Sequence, residues 1–234
     1  MFANILEPYI LNIFTDASIR KISDNECWSC AGAIAVCGNT IIADDYKVYQ
    51  NRSSNYTELK AIELGINLAL NIITNNPNLI KVNLFSDSQI SIFGIRDRIF
   101  NWSIINNTLA GYGNKIIMNQ DIFLEIVHTV INCKLNISFY HQKGHSDQSS
   151  ISVSRNTFIK FNRVAGATEH NVDFEFIKYI NRYNQMVDAA SRKILYHIDK
   201  SQNTISPIVF NIASKNSYNE LLEEYKKYIN GGNN

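Results

Sequence analysis

Tyr-Ile-Leu-Asn-Ile-Phe-Thr-Asp-Ala-Ser, residues 9–18, is an apolar and β-branched run that meets an acid at Asp16. Such a run reads as a buried strand over 9–15, with Asp16 at its end. The same ending recurs in Leu-Phe-Ser-Asp-Ser-Gln (84–89), where residues 80–86 read as a strand closed by Asp87. Between these two runs, residues 30–37 are small and apolar, Gly38-Asn39 follows, and 40–50 resumes a strand-like pattern. Three strands joined by short turns predict an antiparallel meander. Leu59, Ile62, Ile66, Ala69, Leu70 and Ile73 then recur at three- and four-residue spacing, one face of a helix. Ser53, Ser54 and Asn55 offer caps before it, and Asn-Asn-Pro-Asn (75–78) ends it.

Beyond Asp87 the pattern predicts helices over 88–98 and 121–132 and a fifth strand over 135–141. Val187, Ala190, Ile194 and Ile198 mark a last helix around Asp188. The first three strands need only hairpins, whereas strands separated by helices pair in parallel. The fold class that satisfies both is α/β, a five-stranded mixed sheet with helices on its faces. This reading assigns residues 9–198 to one domain, with 146–183 inserted before the last helix, and 199–234 to a C-terminal extension. In the extension, Ser217 and Glu220 make a capping box ahead of Leu221, Leu222, Tyr225 and Ile229, a helix expected to pack on the core.

With 234 residues, 45% hydrophobic and 18% charged, the chain can bury a core of its own. Lys plus Arg (22) nearly balances Asp plus Glu (21), so polyanion binding has to come from a local patch. No apolar run approaches the roughly 20 residues of a membrane span, and a signal peptide's basic start and apolar core are missing. Cys27 and Cys30 make a single C-x-x-C without the second pair that a structural zinc site uses. Cys37 and Cys133 stand apart, so reduced thiols are expected. We expect a soluble, cytoplasmic monomer with no membrane association.

Four acids stand in short settings of their own: Asp16, Glu58 in Asn-Tyr-Thr-Glu-Leu (55–59), Asp87, and Asp188 in Asn-Gln-Met-Val-Asp-Ala-Ala-Ser-Arg (184–192). A lone acid at a strand end is usually a cap or a turn residue, and the bland reading is four unrelated surface acids. On strand, helix, strand and helix of an open α/β sheet, however, they would converge at the carboxyl ends of the parallel strands, where such sheets bind ligands. Two carboxylates ~4 Å apart repel by about 4 kcal/mol at an effective dielectric near 20, so four could not all stay ionised without cations. Oxygen-only ligands favour Mg²⁺ or Mn²⁺ over zinc or copper. Two such ions roughly 4 Å apart activate water and stabilise the leaving oxygen of a phosphodiester.

The chain resembles ribonuclease H of type 1 in Thr-Asp-Ala-Ser (15–18), Asn-Tyr-Thr-Glu-Leu (55–59), Ser-Asp-Ser-Gln (86–89), Lys-Gly-His (143–145) and residues 184–192. Phe-Asn-Trp (100–102) is also similar. The resemblance implies the ribonuclease H-like fold, strand order 3-2-1-4-5. It implies endonucleolytic cleavage of the RNA strand of RNA–DNA hybrids by two Mg²⁺ ions, Mn²⁺ substituting, with 5′-phosphate and 3′-hydroxyl ends. Asp16 would bridge both ions, Asp188 would help hold the one that activates water, and Glu58 and Asp87 the one at the leaving 3′ oxygen. His145 matches the family's mobile histidine, which assists proton transfer or product release. Asn55 and Gln89 would contact the minor groove, where a hybrid displays its 2′-hydroxyls. Ser18 joins them as a substrate contact, and Asn184 would support the substrate or His145.

The chain also departs from that family. Ala17 replaces a usual glycine, and residues 99–120, where many members carry a basic handle, hold little charge. Weaker binding follows, because phosphate contacts supply most of the affinity. Residues 146–183 stand where a handful is typical and contain Phe-Ile-Lys-Phe-Asn-Arg (158–163). That segment reads as a hairpin packed beside the last helix, or as a substrate clamp with Lys160 and Arg163 as its cations. Two rivals stay open: another metal nuclease of the superfamily, such as a junction resolvase or exonuclease, and a non-catalytic nucleic-acid-binding relative. Four-acid exonucleases place a Glu where this chain has Ser18, and non-catalytic relatives tend to lose an acid that this chain keeps.

Overall fold

The computed structural model describes residues 6–144, 151–197 and 215–229. Strands β1 (Ile10–Ser23), β2 (Glu26–Cys37) and β3 (Thr40–Gln50) form the antiparallel meander, and α1 (Ser54–Asn75) and β4 (Lys81–Ser86) follow. Then come α2 (Gln89–Arg96), a small hairpin of β5 (Ser103–Ile105) and β6 (Thr108–Ala110), α3 (Gln120–Asn132) and β7 (Ile137–His141). Helices α4 (Ile151–Asn162), α5 (Phe174–His197) and α6 (Lys215–Lys226) complete the chain. The main sheet has the order β3-β2-β1-β4-β7, the expected topology with β7 as its fifth member.

Parallel pairing of β1, β4 and β7 aligns same-face side chains into rows across the sheet. Asn12, Asn83 and Ser138 form one row, and Phe14, Phe85 and Tyr140 the next. The aromatic row stacks, with ring centroids 5.0 Å apart for Phe14–Phe85 and 5.2 Å for Phe85–Tyr140. Phe158 of α4 and Phe176, Tyr183 and Val187 of α5 bury it from above. The polar row is bonded: the Asn83 amide donates to Asn12 Oδ1 (3.1 Å), Asn12 donates to the Tyr179 hydroxyl (3.3 Å), and that hydroxyl donates to the Gly38 carbonyl (2.7 Å). Such pairing offsets part of the penalty of burying amides, Asn83 Oδ1 being left without a partner among the described residues. On the opposite face Leu11, Ile13, Val82 and Leu84 pack against Leu59, Ile62 and Ile66 of α1 and Ile126 and Val130 of α3.

Several boundaries differ from the sequence reading. Asp16 does not end β1: the parallel ladder with β4 stops at Thr15 and Ser86, but the antiparallel ladder with β2 continues to Ser23. Helix 88–98 is shorter, ending at Arg96 before a 3₁₀ turn over Arg98–Asn101. The β5–β6 hairpin is an addition, turned by Asn106 and Asn107 at positive φ, the backbone that a two-residue hairpin turn requires. Residues 158–163 are no hairpin; 158–162 lie in α4, whose inward face is Ser154, Phe158, Ile159 and Asn162. Helix α5 begins at Phe174, well inside the segment read as an insertion, because Phe176, Ile177, Ile180 and Tyr183 extend the stripe of Val187. His145, Ile198 and the Ser217 side chain lie outside the described residues.

Among the described residues no helix is long and apolar enough to cross a membrane. The cysteines are free thiols, and Cys27 and Cys30, three apart on β2, point to opposite faces. Helix α6 packs on the core through Leu222 and Tyr225, and the segment after it through Ile229, with Tyr225 stacked on Phe100 at 5.9 Å. Tyr225→Ala should therefore cost about 3 kcal/mol in urea unfolding. Tyr225→Phe should be close to neutral, since the buried hydroxyl has no partner among the described residues. Parent-like stability of Tyr225→Ala would show that α6 contributes nothing to the core.

Candidate metal centre

The parting of β1 from β4 creates the site. Thr15 Oγ1 donates to the Phe85 carbonyl (3.3 Å), and beyond Thr15 and Ser86 the two strands share no further pairs. Asp16 follows Phe14 by two residues and Asp87 follows Phe85 by two. The strand period therefore carries both acids onward from the aromatic row, into the opening. The Ala17 N–H donates to Asp16 Oδ1 (2.8 Å). After Asp87 the chain turns at once into α2: Ser86 Oγ accepts from the Ser88 N–H (3.2 Å), and Ser88 caps the helix by accepting from the Ser91 N–H (3.4 Å).

Two helices bring the other acids. Ser53 caps α1 by accepting from the Tyr56 N–H (3.2 Å), and the Thr57 hydroxyl donates to Ser29 of β2 (2.8 Å), which pins the first turn beneath Glu58. Asp188 rides on α5, which comes close to β2 at Gly32, the residue opposite Asp16 in the β1–β2 ladder. A Cβ at Gly32 would stand 2.4 Å from Ser191 Oγ and 2.8 Å from the Tyr46 ring, so only glycine allows this approach.

Asp16, Glu58 and Asp87 each present a carboxylate oxygen within 4.8 Å of the others. Asp188, Ser18 and Arg192 line the same cavity. Burial, then the Asp87 and Asp188 charges, push the Asp16 carboxyl up to about 8, and a side-chain hydrogen bond joins it to Asp188. Burial, then Asp87, Asp16 and Asp188, hold Glu58 well above the ordinary carboxylate range. Glu58 Oε2 is buried with no hydrogen-bond partner among the described residues. Arg192 Nε donates to Asp188 Oδ1 (2.8 Å), and Ser18 Oγ lies 3.5 Å from the same oxygen. An orphaned carboxylate oxygen among mutually repelling acids fits a hard divalent cation such as Mg²⁺ or Mn²⁺.

The remaining sequence-derived positions scatter around this cavity. Asn55 and Gln89 are exposed in the first turns of α1 and α2 and do not line it. Asn184 sits one turn before Asp188, buried, with Oδ1 unpartnered among the described residues. Lys160 and Arg163 are exposed at the end of α4, also outside the lining. His145 itself is undescribed, but a Cβ on its neighbour Gly144 would stand 2.2 Å from Asp87 Oδ2, so the Lys-Gly segment runs against that acid. Sequence reading gave Arg192 no role, although its i,i+4 spacing from Asp188 was a usable signal. Gly32 offered none, since its demand comes from a helix far along the chain.

The acids imply a pH dependence. Asp16 ionises near 3.8 when unfolded and near 8 when folded, so across that window the folded state holds the extra proton. Stability of the metal-free protein should then fall as pH rises from about 4 to about 8, Glu58 acting in the same direction. Millimolar Mg²⁺ should flatten the slope by favouring the ionised acids. Thermal unfolding in chelator and in Mg²⁺ measures this; a flat profile in chelator would mean that the acids do not crowd.

The profile of the family described as RNase H matches residues 9–159. No curated protein matches the chain. Among solved structures, the foamy viral protease–reverse transcriptase in complex with RNA/DNA hybrid is similar at TM-score 0.55 and 13% identity, over 85% of this chain and 21% of that one. The native protease–reverse transcriptase of prototype foamy virus gives 0.53 and 14%, over 85% and 22%. The PFV RNase H domain in solution gives 0.53 and 15%, over 81% of this chain and 96% of that domain. This chain thus spans about a fifth of the viral protease–reverse transcriptases and nearly all of the isolated domain, and the likeness is one of fold.

Proposed function

We propose that this chain, which belongs to the ribonuclease H family, is a hydrolase that cuts the RNA strand of RNA–DNA hybrids internally, leaving 5′-phosphate and 3′-hydroxyl ends. The observation that carries the reading is the meeting of Asp16, Glu58 and Asp87 within 4.8 Å around an orphaned, buried Glu58 oxygen. Two divalent cations, Mg²⁺ or Mn²⁺, would supply an activated water nucleophile and neutralise the leaving oxygen when bound. Asp16 feels both Asp87 and Asp188, which suits it to bridge the pair. Glu58 and Asp87 would hold one ion, and Asp188, bonded to Arg192 and within 3.5 Å of Ser18, would help hold the other. Asn55 and Gln89 read the 2′-hydroxyls of the minor groove, which distinguish a hybrid from duplex DNA without reading sequence. Asn184 would support the substrate or His145, and His145 would assist proton transfer or product release.

Asp16→Asn, Glu58→Gln and Asp87→Asn should each slow cleavage of a labelled hybrid by more than the roughly 10–100-fold that outer-shell changes cost. Parent-like cleavage by Asp16→Asn would remove it as the bridging ligand. Duplex DNA and a four-way junction belong in the same assay, and faster cutting of either would assign the site to another nuclease class. For the clamp role of Lys160 and Arg163, the double alanine variant should bind hybrid more weakly, with a salt slope shallower by about one for each phosphate no longer neutralised. Unchanged affinity and slope would end that role.

A further inference from the structure

Beyond Ile137, which bridges to Ile229, the free edge of β7 is closed by side chains instead of a strand. Asn162, at the end of α4 and fully buried, accepts from the His141 N–H (2.9 Å) and donates to the His141 carbonyl (2.6 Å), the two bonds a neighbouring strand would make. Its amide also donates to the Phe158 carbonyl (2.9 Å), and its Oδ1 accepts from Arg96 Nη1 (2.9 Å). Arg96, 3% exposed, reaches the Phe139 carbonyl (3.1 Å) and the Phe161 carbonyl (2.8 Å), while Asp97 balances its charge through two bonds of 2.9 Å. A buried carboxamide with every polar atom used has one orientation, so it fixes the backbone it grips.

That backbone leads to the acids. The Gln142 N–H, next to His141, donates to the Ser86 carbonyl (3.0 Å), one residue before Asp87, and the His141 imidazole is a hydrogen-bond partner of the Asp87 main chain. Phe93 and Phe161 hold the ring at centroid distances of 5.8 Å and 5.1 Å. Three residues on, Gly144 lies against the Asp87 carboxylate.

We infer that Asn162 is a positioning residue for the metal centre, acting through His141 to fix the backbone and carboxylate of Asp87. Helix α4 thereby supports the site instead of only covering the sheet. This inference rests on the reading of Asp87 as a metal ligand.

The test uses the full chain, with Mn²⁺ binding by calorimetry in the absence of substrate and steady-state hybrid cleavage. His141→Phe keeps the ring contacts and removes the hydrogen bond to the Asp87 main chain. It should stay folded, bind Mn²⁺ about tenfold more weakly and lose roughly tenfold in kcat, with KM within about twofold, the range that outer-shell partners command. Asn162→Ala should show the same split; if it fails to fold, His141→Phe decides. Parent-like Mn²⁺ affinity and kcat in folded His141→Phe overturn the positioning role. Asp87→Asn separates the two readings. If it binds Mn²⁺ like the parent, the metal assignment itself falls, whereas weak binding by Asp87→Asn beside parent-like His141→Phe condemns the positioning role alone.

Discussion

The in-register parallel pairing of β1 with β4 is the constraint on which the rest depends. It stacks Phe14 on Phe85 and, two residues on, delivers Asp16 and Asp87 to one opening. A slip of one residue would turn an acid onto the opposite, apolar face. Register is therefore protected by the aromatic row, by the bonded amides Asn12 and Asn83 below it, and by α1 and α5 against the two faces. The core and the site share one geometric device.

The edge of β7 shows how this fold completes itself without a sixth strand. Tyr228 offers its carbonyl to the Ile137 N–H (3.4 Å), Arg96 takes the Phe139 carbonyl, and Asn162 takes both groups of His141. Exposed strand edges invite pairing with other chains, and side-chain closure suppresses it. The closing groups come from α2, α4 and the segment after α6, so elements outside the minimal sheet-and-helix pattern carry part of its integrity.

The cavity of acids works against the fold that builds it. Burial and like charge raise Asp16 and Glu58, so ionising them together opposes folding until cations arrive. Arg192 pairs with Asp188 from the solvent side, a half-exposed ion pair of modest worth. Functional sites are where such local conflict is expected, with compensation supplied by packing elsewhere.

The strands, the main helices and the settings of the four candidate acids were legible in the amino-acid order because each is a local property, whereas the sheet order, which is not local, came only with the family resemblance. Alternation, three- and four-residue spacing and caps act within a few residues, and Asp16, Glu58, Asp87 and Asp188 each sit in a readable element. The end of β1 was misjudged because its two edges stop at different places, a fact of partners and not of propensity. The segment 158–163 looked like a hairpin because its aromatic and basic residues interleave; burial of Phe158 and Asn162 on one side of α4 is visible only once β7 and α5 are in place. Gly32 and Asn162 carry no local signal of these demands, and Gly144 carries only its place in the Lys-Gly-His motif. Their demands are made by Ser191, Asp87 and His141, distant or turned around the chain, and only tertiary contact between such residues can specify a clearance or a clamp.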